Sequence, residues 1–188
     1  MLTCSTEKCD DTQLIHATAR LIRTVQRYHP RYAAGVIPMS TSEFAALLRR
    51  ATCEVYFLEP RPGVRAITIP PIAGRYHIGV KRDLSQDERA FALRHELAHV
   101  LAGDADEPVA LVHRGYLTYA ERLADLFALA DLVPTSYLRS LRSIPLRWNE
   151  IREDLAQMIR EQWGADWPEA RIDDRAALRL RLFRECGT

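Results

Sequence analysis

The sequence lacks a long hydrophobic run, and no stretch of it approaches the roughly 20 apolar residues that a membrane-spanning helix needs. Its first ten residues include Glu7 and Asp10, so they also lack the basic start and apolar centre of a secretory signal. These two absences exclude an integral membrane protein and predict a cytoplasmic protein without a membrane partner.

An excess of charge and a pattern of paired cysteines are also missing. The 26 Lys and Arg residues nearly balance the 25 Asp and Glu residues, so the formal net charge is +1 and there is no overall basic field that would attract nucleic acid. The four cysteines are scattered, and Cys4 and Cys9 do not have the CxxC spacing of a zinc knuckle. We therefore predict no disulfide framework and no role for Cys4 and Cys9, and the sequence assigns no role to Cys53 or Cys186.

What is present is the composition of a globular protein. The chain has 188 residues, of which 47% are hydrophobic and 27% charged, and this length fits one compact domain with or without a small appendage. Apolar periodicity, capping boxes and β-branched runs predict an α+β fold that is mostly helical and contains a small three-stranded sheet. The predicted helices span residues 12–28, 41–50, 86–102, 116–132, 147–163 and 174–184, and the predicted strands span 54–58, 64–69 and 75–80.

The helix predicted over residues 86–102 carries the sequence His95-Glu96-Leu97-Ala98-His99. Residues four apart lie on one face of an α-helix, so His95 and His99 can direct two imidazole nitrogens at one metal ion, with Glu96 beside them. A chance HExxH occurs on the order of once in a hundred chains of this length. The alternative is a histidine pair on a solvated helix face, but the capped helix and its apolar framework favour a zinc site.

A catalytic zinc ion takes three protein ligands and keeps one position open. The metzincin pattern is excluded because Ala102 and Ala105 occupy its glycine and histidine positions. The other familiar arrangement is a glutamate on a later helix, followed one turn on by an acid that hydrogen-bonds a ligand histidine. Glu121 and Asp125 have this spacing, which predicts Glu121 as the third ligand and Asp125 as its support. Other candidate ligands in the intervening stretch are Asp104, Asp106, Glu107 and His113.

Such a site predicts amide hydrolysis. Two neutral histidines and one carboxylate leave a divalent ion with net positive charge, which lowers the pKa of a water molecule towards neutrality. Glu96 is predicted to be the general base that takes the proton from this water and passes it to the leaving nitrogen. A donor to the developing oxyanion is also expected, and the candidates near the ligand helix are His113, Tyr116 and Tyr119.

Three stretches of the sequence together resemble one peptidase family, the ImmA/IrrE metallopeptidases. They are IPMSTSEFAALLRRATCEVYFL, YHIGVKRDLSQDERAFALRHELAHVLAGD and AERLADLFALADLVP, and they lie within residues 37–134. The resemblance implies that one Zn²⁺ or Mn²⁺ ion is held by His95, His99 and Glu121, and that Asp125 stands where the family has Asp or Asn. Leu123 stands where many members carry a second acid, which removes a competing ligand.

The same resemblance implies a substrate and a domain arrangement. It implies a cytoplasmic protease, with Glu96 as its base, that relieves repression of stress or mobile-element genes by cleaving a helix-turn-helix transcriptional repressor. Residues 1–134 would form the peptidase domain, with a core at about 37–134, and residues 135–188 a C-terminal helical extension, helix-turn-helix-like or plain. Arginines of the extension are candidates to face DNA or the repressor: Arg175, Arg179, Arg181 and Arg184.

Two other functions stay open at this point. One is a noncatalytic protein that is stabilised by its metal and sequesters the repressor. The other is a DNA-binding regulator that uses arginine-rich helices, against which the near-neutral charge argues.

Overall fold

The helices and strands occur in the predicted order, and the α+β class is confirmed. The computed structural model describes residues 10–28, 40–59, 64–103, 118–143 and 146–187. Its helices are α1 (Asp11–Tyr28), α2 (Thr41–Arg50), α3 (Gln86–Ala102), α4 (Tyr119–Leu132), α5 (Thr135–Ser143), α6 (Trp148–Gln162) and α7 (Glu169–Cys186). Its strands are β1 (Cys53–Leu58), β2 (Ala66–Ile72) and β3 (Arg75–Lys81).

The sheet has the strand order β1-β3-β2, so β3 is central. Strand β1 pairs with β3 in parallel, and β2 pairs with β3 in the antiparallel sense. Helix α3 packs on the sheet through β2 and β3, with Ile78 and Val80 buried beneath it. The edge strand β2 therefore lies next to the helix that carries His95 and His99.

Four prolines lie inside a strand or directly before a helix: Pro70, Pro71, Pro134 and Pro168. Pro70 and Pro71 lie inside β2, where the pairing with β3 shifts between Ile69 and Ile72. An edge strand tolerates proline because its outward side needs no N–H donor. Pro134 and Pro168 each precede a helix and accept from its first turn, because proline suits a helix start. Helix α5 was therefore missed, and α7 begins five residues earlier than residue 174.

Two apolar clusters meet at α3 and α4. The first joins α1, α2, the sheet, α3 and α4 to Leu178 and Leu182 of α7. The second joins Phe91 of α3 and Ala128 and Leu129 of α4 to α5, α6 and α7. Helices α3, α4 and α7 thus contribute to both clusters. The domain boundary predicted at residue 134 stays a prediction.

Two of the arginines proposed to face DNA or a partner lie in the interior. Arg175 is 1% exposed and Arg179 is fully buried, whereas Arg184 is exposed. They were misplaced because α7 packs against α1, α4 and α6, which turns these positions inward. Within the described ranges, no helix has the length and apolar character required to cross a bilayer.

Candidate metal centre

Helix α3 places His95 and His99 one turn apart in its second half. A capping box between Ser85 and Glu88 fixes where the helix begins, because each residue satisfies a backbone N–H at the helix start. Gly103 ends the helix in the left-handed conformation, with φ of +78°. The ring nitrogens His95 Nε2 and His99 Nε2 lie 3.2 Å apart, so both rings are directed at one point.

Helix α4 brings Glu121 to the same point. Thr118 caps this helix, and its side chain accepts a hydrogen bond from the backbone N–H of Glu121, which sets the carboxylate in the first turn. Glu121 Oε2 lies 3.2 Å from His95 Nε2, and Glu121 Oε1 lies 3.5 Å from His99 Nε2. The structure thus brings together the three residues that the sequence selected.

The spacing of these three groups fits a single metal ion. One ligand atom from each of His95, His99 and Glu121 can be chosen so that all three lie within 4.8 Å of one another. Tetrahedral zinc has ligand atoms at about 2.0–2.1 Å, which places those atoms about 3.3–3.4 Å from each other. The observed separations of 3.2, 3.2 and 3.5 Å agree with that value. The cluster is therefore compatible with a metal ion.

Behind the cluster, Asp125 orients the ring of His95. Its Oδ1 lies 2.9 Å from His95 Nδ1, and its side chain is completely buried. A carboxylate acceptor keeps the proton on Nδ1, so the lone pair of Nε2 points towards Glu121 and His99. Arg171 and Arg175, both on α7, donate to the same carboxylate.

Burial and charge oppose each other in this cluster. Burial alone would lower the pKa of His95, but its hydrogen bonds to Asp125 and Glu121 outweigh burial and raise the pKa to about 10. Burial would raise the pKa of Asp125 and of Glu121, but the hydrogen bond from His95 and nearby positive charges hold both below their usual range. The site therefore favours a cation, and a metal ion that binds here displaces the proton of His95.

Glu96, the neighbour of His95 in α3, contacts strand β2 of the sheet. It is 8% exposed, and its Oε2 accepts a hydrogen bond of 2.7 Å from the hydroxyl of Thr68 on β2. The same hydroxyl lies 3.5 Å from the backbone carbonyl oxygen of Glu96. Thr68 thus fixes the direction of the carboxylate that the sequence predicts as general base.

A buried ion pair joins α3 to α4 beside the cluster. Arg94 Nε donates to Asp131 Oδ2, and both side chains are at most 7% exposed. Arg94 Nη1 also donates to the carbonyl oxygen of Ala90, and its guanidinium lies 4.5 Å from the centre of the Phe44 ring. This pair holds the two ligand-bearing helices together.

The remaining predicted site residues fall into two groups. Tyr119 directs its hydroxyl towards the carbonyl oxygen of Gln13 on α1, at 3.4 Å. The other candidate ligands and oxyanion donors lie outside the described residues, and they are Asp104, Asp106, Glu107, His113 and Tyr116. The roles proposed for them stay predictions.

The comparison with known families agrees with this geometry. The model of the IrrE N-terminal-like domain, a peptidase family, matches residues 36–163, which is more than half of the chain. The chain belongs to this family. The resemblance to ImmA/IrrE is thereby confirmed, and membership of the IrrE-like family supports a metallopeptidase-type function. The match extends past residue 134 and includes α5 and α6. Searches of curated proteins and of solved structures give no match.

Five residues around this centre were missed by sequence reasoning. They are Thr68, Arg94, Asp131, Arg171 and Arg175. Two features of the sequence could have indicated some of these residues. Asp131 lies in the same helix as Glu121, and charged residues, among them Arg171 and Arg175, interrupt the apolar pattern of α7. Neither feature identifies a partner, because each partner comes from another element.

Proposed function

We propose that this chain is a zinc-dependent endopeptidase with Glu96 as its general base and His95, His99 and Glu121 as its metal ligands. The observation that carries the proposal is the convergence of those three ligand groups, at zinc-like separations, on the face of α3 next to a buried glutamate. Mn²⁺ accepts the same donor set, so it is the alternative ion. Bound here, the ion supplies Lewis acidity for the substrate carbonyl and for water.

The residues of the chain do the rest of the chemistry. Glu96, held by Thr68, takes a proton from the attacking water and delivers it to the nitrogen of the cleaved peptide bond. Asp125 keeps His95 in one orientation and one tautomer throughout. The oxyanion donor is proposed to come from His113 or Tyr116.

The proposed substrate is a helix-turn-helix transcriptional repressor, cleaved in the cytoplasm to relieve repression. This part rests on the likeness to the ImmA/IrrE family. Direct binding of the chain to DNA is a weaker proposal, since burial of Arg175 and Arg179 removes two of the cations that would contact phosphates.

The test is cleavage of a helix-turn-helix repressor, chosen from the genes that neighbour this one, by protein purified without chelators and supplied with Zn²⁺ or Mn²⁺. We expect a limited cut by the wild-type chain and a loss of about 10²–10⁴ in rate for Glu96→Gln with its metal content unchanged. Glu153→Gln, which alters an exposed glutamate on α6, is the matched control and retains full activity.

Two results would count against the proposal. If the repressor stays intact with the wild-type chain and every metal tested, it is not the substrate. Derepression in cells that survives Glu96→Gln would favour the alternative, a metal-stabilised protein that sequesters the repressor without cutting it.

A further inference from the structure

Two arginines of α7 converge on the carboxylate of Asp125. Arg171 donates through Nη2 to Oδ1 and Oδ2, at 3.0 and 2.9 Å, and through Nε to Oδ2 at 3.2 Å. Arg175 donates through Nε to Oδ2 at 2.8 Å. Oδ1 also faces His95 Nδ1 at 2.9 Å. Both oxygens of the acid that orients His95 are thus fixed by a helix that is distant in sequence.

Burial limits the orientations that the Asp125 carboxylate can adopt. Asp125 is fully buried and the side chain of Arg175 is 1% exposed, whereas Arg171 is 22% exposed and lies 3.8 Å from the centre of the Trp167 ring. A buried carboxylate needs compensating charge and hydrogen bonds, and paired guanidinium donors supply both in a fixed geometry. The carboxylate therefore has little freedom to turn away from His95.

A third arginine forms similar bridges without contacting Asp125. Arg122 on α4 pairs with Asp174 of α7 and with Asp11 of α1, at 2.9 and 2.8 Å. Arg175 also pairs with Asp174. Helix α7 is therefore attached to α4 and α1 through Arg122 pairs in which Asp125 takes no direct part, so the loss of these pairs tests packing of α7 without removing a contact to Asp125.

We propose that Arg171 and Arg175 are positioning residues of the metal centre, which act through Asp125 to hold the His95 ring with Nε2 directed at Glu121 and His99. The inference rests on the proposed metal site and goes beyond it by making α7 part of that site. A residue that fixes the hydrogen-bond partner of a ligand histidine contributes to metal affinity, because it limits rotation of the histidine ring before the ion binds.

The experiment measures Zn²⁺ affinity of the full chain by competition with a chromophoric chelator, a readout independent of peptidase activity. We expect Arg171→Met and Arg175→Lys each to weaken binding by roughly 10–100-fold, the usual effect of losing an outer partner of a metal ligand. Arg171→Met alters a partly exposed side chain, so it keeps the test valid if Arg175→Lys does not fold.

Two comparisons separate positioning from packing. Arg122→Met breaks ion pairs between α7, α4 and α1, and we expect lower stability of the metal-free chain to urea with unchanged Zn²⁺ affinity. In an Asp125→Asn background, Arg171→Met should cause little further loss of affinity, because residues that act through one shared partner are not additive.

The outcomes are distinguishable. Wild-type affinity in both arginine variants, or an equal loss in Arg122→Met, would overturn the inference while leaving the proposed function intact. A full additional loss in the Asp125→Asn background would also overturn it. If the wild-type chain binds no metal, the proposed function fails first and the inference fails with it.

Discussion

The two sides of the metal centre differ in origin, and the carboxylates on the two sides differ in burial. The ligand side consists of His95, His99 and Glu121, and Glu121 is 34% exposed. The supporting side consists of Asp125, Arg171 and Arg175, and Asp125 is fully buried. The ligand side comes from two helices and short sequence spacings, whereas the supporting side needs α7, about 50 residues further along the chain.

This difference teaches where substitutions should act. A site that receives substrate has to leave its ligands accessible, so their removal should change metal binding with little effect on folding. Buried charged groups cannot be removed so selectively, because their partners then lose compensation in a medium that solvates charge poorly. Variants on the two sides should therefore differ in the ratio of their effects on metal affinity and on stability.

The largest expected effect is on the ligand side. Glu121→Ala removes a carboxylate from the centre but leaves the Thr118 cap and the backbone N–H of residue 121 in place. We expect Zn²⁺ affinity to fall by more than the roughly 100-fold upper value for an outer partner, with the urea midpoint of the metal-free chain nearly unchanged. Chelator competition measures the first and urea unfolding the second. A large drop in the stability of metal-free Glu121→Ala would contradict the expectation that ligand residues affect metal binding and not folding.

The next largest effect concerns a buried pair. Asp131→Ala removes the carboxylate to which Arg94 Nε donates, and both groups are buried between α3 and α4. Breaking a buried ion pair from one side typically costs about 3–5 kcal/mol of unfolding free energy. Urea unfolding of the metal-free chain checks this value, and Asp154→Ala, at an exposed position on α6, should stay within about 0.5 kcal/mol of wild type. Equal stability of the two variants would contradict the structural role of Arg94.

A smaller effect should appear in catalysis alone. Thr68→Val keeps the shape of the side chain but removes the hydroxyl that donates to Glu96. Hydrogen bonds to charged groups contribute about 1.5–3 kcal/mol, so we expect kcat/KM to fall by about ten- to a hundredfold with metal affinity unchanged. Thr68→Ser restores the donor and should recover most of the rate. A loss of metal from Thr68→Val would contradict the claim that Thr68 acts on Glu96 and not on the metal ligands.

The smallest effect lies at the end of the ligand helix. Gly103 has φ of +78°, and a side chain there would meet no atom within 4 Å, so the cost of substitution is conformational and not steric. We expect Gly103→Ala to lower the unfolding free energy by about 1 kcal/mol, and Gly103→Asn by less, because asparagine tolerates the left-handed region. Zn²⁺ affinity should not change in either variant. An equal cost for both substitutions would argue against the conformational explanation.

The parts predicted from sequence are those encoded over short distances. Helix α3 begins and ends as its capping box and Gly103 indicate, and the spacings within α3 and α4 selected three groups that the fold brings together. The start of α4 was less well predicted: the helix begins at Tyr119, after its cap Thr118, whereas the prediction began at residue 116. Local chemistry thus located the ligand-bearing helices and selected their candidate residues.

The supporting side could not be predicted in the same way. Arg171 and Arg175 have the appearance of solvent-facing or DNA-facing cations until α7 is packed against α4, and no local spacing relates them to Asp125. Thr68 reaches Glu96 only because β2 is the edge strand beside α3. The predicted end of α4 at residue 132 is confirmed, but α5 was missed because Pro134, two residues later, also accepts from the first turn of a further helix.

The most direct test of the central claim is the metal content of the chain purified without chelators, determined by elemental analysis of wild type, His99→Ala and His16→Ala. His16 is an exposed histidine on α1 and serves as the control. We predict about one Zn²⁺ or Mn²⁺ per chain in wild type and His16→Ala, and far less in His99→Ala. A wild-type chain without metal, or His99→Ala with a full equivalent, would contradict the assignment.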